Sequence, residues 1–174
     1  LSEENSNESG TVIIPALEGT RPLLVEMQSL VAPTPYVPPR RTSDSIDIKK
    51  IQLLLAVLEK RVHLNMGTCD VYVKVAGGIK IDDPAVDLAL CCAMASSFRN
   101  QSIKPQTIIF GEVGLSGEVR SVSQPDIRVR EAIRMGFTNI ILPAKNLERL
   151  EHFASNVQIH GVRYLSEALK IALN

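Results

Sequence analysis

Gly77-Gly78-Ile79-Lys80-Ile81-Asp82-Asp83-Pro84-Ala85-Val86-Asp87, running on through Leu88-Ala89-Leu90-Cys91-Cys92-Ala93-Met94-Ala95-Ser96-Ser97-Phe98, is the stretch on which the fold turns. The run Asp70-Val71-Tyr72-Val73-Lys74-Val75 before it reads as a strand that feeds the glycine pair. Asp82-Asp83 offers a helix N-cap, and Pro84 suits the first helical position, where a missing N–H costs nothing. From Leu88 to Phe98 nearly every residue is small or apolar, which predicts a helix buried on most of its surface. Strand, turn and buried helix in that order place functional groups at the turn.

The chain has 174 residues, 45% of them hydrophobic, enough for one core and one domain with an appendage. Tryptophan is absent, so Leu, Ile, Val and Ala must fill that core. The formal net charge is zero, which argues against a partner chosen by overall charge. That zero hides an asymmetry: Glu3, Glu4, Glu8 and Glu18 stand in the first 20 residues without a Lys or Arg, and the remainder carries +4. The three cysteines, Cys69, Cys91 and Cys92, form no CxxC pair and read as reduced core thiols. No apolar run reaches membrane-spanning length and no signal peptide opens the chain, so a cytoplasmic domain without a membrane partner is expected.

Outward from the central stretch, residues 1–10 read as a linker, and Thr11–Ile14 and Leu23–Leu30 as two strands around Glu18-Gly19-Thr20. Six of the ten prolines fall before residue 40, which makes Pro33–Pro39 an extended loop ending on Arg40-Arg41. Asp44 or Ser45 is expected to cap a helix to about Val62, with Ile48, Ile51, Leu54, Leu55, Leu58 and Val62 on one face. Thr107–Phe110 is a strand entering the glycine-spaced Gly111–Val119, read as a hairpin. Pro125 opens a helix with Ile127, Ala132 and Ile133 inward and Gly136 as its stop. A strand at Thr138–Leu142, a helical turn or two over Asn146–Phe153, a strand at Val157–His160 and a helix at Ser166–Leu173 complete an α/β (α+β) chain.

Little of this carries chemistry by itself. His63, His152 and His160 are far apart and match no metal-ligand spacing. Gly111, Gly114 and Gly117 stand between two strands, without the helix N-terminus a phosphate loop needs. Ser96 and Ser97 have no neighbouring base and read as packing residues. Asp82 and Asp83 form a carboxylate pair, for which capping is the better account of at least one member.

Val73–Phe98, Gly111–Val119 and Arg134–Pro143 resemble the proteolytic domain of Lon proteases. In that family the serine of an Asp-Gly-Pro-Ser-Ala-Gly motif opens the buried helix, and a lysine after the Gly-Glu hairpin activates it. Here Asp82-Asp83-Pro84-Ala85-Val86-Asp87 falls on the motif, with Ala85 at the nucleophile and Asp87 at the closing glycine; the lysine position falls at about Asp126. A longer set of motifs is similar to the bacterial RadA (Sms) family of RecA paralogues. It comprises Glu18–Gln28, Pro39-Arg40-Arg41, Leu53–Arg61, Val75–Gly78, Asp87-Leu88-Ala89, Ser96–Arg99 and Gly111–Arg120.

That resemblance implies a Lon protease-like fold of the ribosomal protein S5 domain 2-like kind, with an N-terminal strand pair. Residues 1–20 would be the linker and first strand after a RecA-like ATPase domain, and 21–174 the Lon-like domain. No cofactor is expected in this chain, while ATP, Mg and Zn belong to the domains that precede it in the family. The implied role is a non-catalytic scaffold and DNA-binding domain of a branched-DNA helicase in homologous recombination and repair. Its partners would be DNA, copies of itself in a hexameric ring, and RecA recombinase.

Two other functions compete with this one. A Ser–Lys peptidase would draw on Ser116 or Ser123 with Lys80, and a pure oligomerisation domain would touch no DNA. The residues assigned to DNA are Arg40, Arg41, Lys49, Lys60, Arg61 and Lys80. Between Arg40 and Arg61 the local charge, Lys50 included, is +3. Such cations hold phosphates and do not read bases, so weak, sequence-independent and salt-sensitive binding is expected.

Overall fold

The computed structural model describes residues 8–150, 153 and 156–173. His152, most of the expected N-terminal linker and part of the turn expected over Asn146–Phe153 lie outside the described residues.

The chain opens with a hairpin of β1 (Thr11–Glu18) and β2 (Arg21–Pro33), paired from Thr11↔Gln28 to Glu18↔Arg21 around Gly19-Thr20. Gly19 has φ +65°, the conformation a two-residue hairpin turn requires. A short β3 (Arg41–Ser43), not foreseen from the sequence, follows the proline loop and leads into α1 (Ile48–Val62). Next come β4 (Cys69–Val75), the functional turn, and α2 (Asp87–Arg99). The second half adds β5 (Thr107–Ile109), the small hairpin β6 (Glu112–Val113) and β7 (Val119–Arg120), and α3 (Pro125–Arg134). It closes with β8 (Asn139–Pro143), α4 (Ala144–Leu147), β9 (Gln158–Val162) and α5 (Leu165–Ala172).

A seven-stranded sheet runs in the order β3-β4-β2-β1-β5-β8-β9. The β1–β2 and β2–β4 pairs are antiparallel and the others parallel, which bears out the α/β expectation. Alternate strand residues serve two cores. Val12, Ile14, Ala16, Ile109 and Ile141 meet α1, α2 and α5 on one side. Ile13, Ile108, Phe110, Ile140 and Leu142 meet Val129 and Ala132 of α3 on the other. β1, which the sequence grouped with the linker, therefore stands at the middle of the sheet. Gly10 just before it is already anchored, with its N–H on Ser96 Oγ at 2.8 Å and its carbonyl accepting from Ser29 N–H at 2.8 Å.

α2 is buried without interruption from Asp87 to Ser96, as its composition predicted. Alanines and cysteines let its backbone approach β1 and β2, while Leu88, Leu90 and Met94 each contribute about 1.5–3 kcal/mol of apolar burial. The serines are packing residues that also donate and accept: Ser97 Oγ takes the Val31 N–H at 2.9 Å.

Two local expectations need correction. The cap of α1 is Asp47, whose carboxylate accepts from Lys49 N–H at 3.0 Å, and not Asp44 or Ser45. Ser43 Oγ accepts the N–H groups of Ser45 and Ile46, holding that segment in a turn and delaying the helix. In α3 the inward side is set by Arg128, Val129 and Ala132, with Ile133 packed against that core as expected, while Ile127 is half-buried and outside it.

Candidate functional site

After β4 the chain turns through Ala76–Gly78, runs extended to Asp83, and makes one 3-10 turn, Pro84–Val86, before α2. Asp83 caps that turn, accepting from Ala85 N–H at 3.1 Å, and Pro84 opens it, as the sequence indicated. The same carboxylate accepts the Leu17 N–H at 3.1 Å. It is also gripped by Arg128 of α3, Nη1 to Oδ2 at 2.7 Å and Nη2 to Oδ1 at 3.2 Å.

Arg128 is fully buried, which demands partners for nearly every N–H. Nε donates to Ser123 O at 2.9 Å and Nη1 to Pro15 O at 2.8 Å, while the Phe110 ring lies 5.9 Å from the guanidinium carbon. Burial pushes the Asp83 carboxyl up, but the Arg128 hydrogen bonds, the Ala85 N–H, the Arg128 charge and the Leu17 N–H together outweigh it. The net result lies below the ordinary carboxylate value. An ion pair thus ties β1, the turn and α3 into one joint.

Ala85 sits inside this joint, fully buried in a cluster with Phe110, Val129 and Ala132. Its carbonyl accepts the Gly111 N–H at 2.9 Å, and Gly111 O accepts the Leu88 N–H at 2.9 Å. Gly111 has φ +154°, and a Cβ there would press on Val119, Pro143 and Leu88 at 3.1–3.3 Å, so only glycine fits. Asp87 opens α2, where the helix dipole favours a carboxylate. Its Oδ1 meets Lys50 Nζ at 2.5 Å and its Oδ2 accepts the Val113 N–H at 3.2 Å, which fastens α1 and β6 to the start of α2. Asp126 is the second residue of α3, and its Oδ1 is buried without a hydrogen-bond partner. Lys80 is exposed on the preceding loop, and among the described residues no hydrogen bond joins it to Ser116 or Ser123.

The cations assigned to DNA fall into different states. Arg40 is exposed at the end of the proline loop, its guanidinium 4.7 Å from the Tyr36 ring centroid. Arg41 is half-buried, donating to Cys69 O and, at 3.2 Å, to Arg40 O, so it straps the domain's own carbonyls. Lys49 and Lys60 are exposed at opposite ends of α1 and, eleven positions apart, lie on one helical face about 16 Å apart. Arg61 is exposed and donates to Leu115 O at 3.3 Å. The Lys80 loop joins the turn before α1 through the Ile81 N–H on Ser45 O at 3.0 Å. Lys50, counted in the local charge, is spent on Asp87.

The sequence profile of the Lon protease (S16) C-terminal proteolytic domain matches residues 49–174. The chain belongs to the Lon proteolytic-domain family. Its likeness to RadA is equally clear. The DNA repair protein RadA of Bacillus subtilis is 46% identical over 173 residues, and that of Halalkalibacterium halodurans 44% over 173, each covering 99% of this chain. The RadA of Synechocystis sp. is 49% identical over 135 residues, or 78% of the chain and 27% of that protein. The chain spans 38% of the length of the Bacillus and Halalkalibacterium proteins. The resemblance to a Lon-like domain of RadA is borne out.

Within this Lon-like domain the sequence reading missed two residues. Arg128 lies on the apolar side of α3 with Val129 and Ala132, and a charged residue on an inward face is the signature of a buried pair. Asp83 was recognised as a cap, but a carboxylate capping a buried turn also calls for a cation. Tyr36 passed unnoticed in the proline loop, where an aromatic flanked by prolines has no burial pattern to mark it.

Proposed function

We propose that this Lon-like domain is a non-catalytic, DNA-binding scaffold within a larger ATP-dependent protein of homologous recombination and DNA repair, one that unwinds branched DNA. What supports the non-catalytic half is the joint around Ala85. The position that the family motif gives to a nucleophilic serine carries a methyl group buried in the core cluster that includes Phe110 and Val129, and the lysine position carries Asp126. With neither hydroxyl nor amine, a covalent acyl-enzyme has no parts. That the relatives in Bacillus subtilis and Halalkalibacterium halodurans are DNA repair proteins supports the repair role.

DNA contact rests on the exposed cations Arg40, Lys49, Lys60, Arg61 and Lys80. Copies of the domain packed side by side, six in the full-length ring, would repeat these charges around it and bring DNA and RecA recombinase together. Fluorescence anisotropy with duplex, single-stranded and forked DNA, between about 50 and 200 mM salt, tests the reading. Binding that is insensitive to sequence, with a log–log salt slope of about −3 to −5, is expected for roughly four or five phosphates. Absence of binding at the lowest salt would leave only an oligomerisation domain. Turnover of a fluorogenic peptide would overturn the non-catalytic assignment.

A further inference from the structure

The loop between β2 and β3 is pinned at both ends and free in its middle. Thr34 N–H donates to Thr68 O at 3.3 Å, and Tyr36 N–H folds back on Thr34 Oγ1 at 3.2 Å. At the far end Arg40 N–H donates to the buried Asp70 carboxylate at 2.7 Å, and Arg40 O accepts the Val71 N–H at 2.9 Å. Between these anchors Tyr36 is 58% and Val37 94% exposed. Four prolines, at 33, 35, 38 and 39, stiffen the segment and remove donors that would let it fold inward.

The Arg40 guanidinium covers one face of the Tyr36 ring at 4.7 Å, a distance at which cation and π-face attract. With Arg40 against it, Tyr36 still keeps more than half of its surface exposed. Beneath the same loop lies a cavity of about 330 Å³, among whose lining residues are Pro38, Pro39, Arg41, Gln52, Glu59 and Met66.

The geometry points to a stacking shelf for the unpaired bases of single-stranded DNA: a base lies on the exposed ring of Tyr36, backed by Arg40. The shelf rests on the DNA-binding reading above and refines it by naming the strand state. Phosphate contacts alone do not distinguish duplex from single strand, whereas a protein ring can reach a base face only where the bases are unpaired. Arg40 serves twice, polarising the ring from behind and sitting within reach of the backbone charge that follows a stacked base. The stiff, anchored loop presents the ring already ordered, so little entropy is lost on binding.

The test compares the wild-type chain with Tyr36→Ala, Tyr36→Phe and Tyr36→Trp, using a dT oligonucleotide of about 15 nucleotides and a duplex of matching length. Tyr36→Ala is expected to weaken single-strand binding about 5- to 100-fold, while duplex binding stays within about twofold and the salt slope is unchanged. Tyr36→Phe keeps the ring and should restore wild-type affinity. Because the chain has no other tryptophan, Tyr36→Trp gives a single reporter whose emission should be quenched by the oligonucleotide and not by the duplex. Single-strand binding by Tyr36→Ala equal to wild type, or loss in Tyr36→Phe as large as in Tyr36→Ala, would overturn the shelf and leave the phosphate-binding reading intact. Wild-type protein that binds neither DNA would overturn both.

Discussion

Replacing Arg128 by Ala removes the cation of the joint that ties β1, the turn before α2 and α3 together. The side chain makes four hydrogen bonds, two to Asp83 and one each to Ser123 O and Pro15 O. Removing one partner of a buried ion pair costs about 3–5 kcal/mol, because the other charge is left desolvated. Asp83 keeps the N–H donors of Ala85 and Leu17, and its side chain is 11% exposed, which places the loss at the lower end, about 3 kcal/mol. For a domain of this size that lowers Tm by roughly 6–12 °C. Urea denaturation of Arg128→Ala, Asp83→Asn and the double variant measures it. The double variant should lose less than the sum of the single losses, by at least about 1 kcal/mol. A cost below about 1 kcal/mol for Arg128→Ala, or additive losses, would refute the joint.

The same pair sets an acid dependence. The folded-state value of Asp83 lies below its unfolded value of about 3.9, so the unfolded chain takes up the proton first. The contribution is complete above that unfolded value and disappears as pH falls through the folded one. Asp83→Asn should therefore be less stable than wild type at neutral pH and lose less of its stability on acidification. Equal acid sensitivity of the two would place the linkage elsewhere.

Other outcomes follow from single sites. Ala85→Ser should yield no peptidase activity and lower stability by about 1–3 kcal/mol, since its hydroxyl enters an apolar cluster without a base nearby; a fluorogenic peptide assay and a urea melt check both. Cys91 and Cys92 are fully buried, with burial pushing the Cys92 thiol up to about 12 and, together with neighbouring acidic groups, Cys91 well above its usual value. Thiol reagents at neutral pH should leave both unmodified in the native chain and react with them fully in denaturant. Arg40→Ala should weaken binding to all DNA sequences alike and flatten the salt slope by about 1, read by anisotropy at several salt concentrations. Arg41→Ala should act first on the melting temperature, by about 1–3 kcal/mol of stability, because its guanidinium is committed to backbone carbonyls.

The buried helix and its flanking turn were legible because each carries a local physical signal. Asp83-Pro84 specifies a cap, and an unbroken small and apolar run specifies burial on all sides. The β1–β2 and β6–β7 hairpins could be placed from their glycines for the same reason. β3 could not, since three residues paired only with β4 hold their place through a neighbour 30 residues away and have no period of their own. The basic residues show the same division. Their charge is visible in sequence, but whether a cation is exposed, as Lys49 is, or committed, as Lys50 and Arg41 are, depends on which carboxylate or carbonyl the fold brings beside it.

A buried carboxylate beside a family nucleophile position invites a catalytic reading, but its surroundings are those of a structural charge. A general base at neutral pH needs a proton affinity raised toward neutrality and one lone pair aimed at the reacting group. Asp83 has the opposite: a lowered value and both oxygens engaged, by Arg128, Ala85 and Leu17. Asp87 is equally occupied, by Lys50 and Val113. Each charge is held at rest by a fixed partner, so proton transfer would first have to break a joint worth several kcal/mol. Groups arranged this way resist change in protonation and position together, which is the property of a structural hinge-pin between β1, α1, α2 and α3. Among the described residues, Tyr36, Arg40, Lys49, Lys60, Arg61 and Lys80 by contrast face solvent, where a side chain can change partners without breaking that joint.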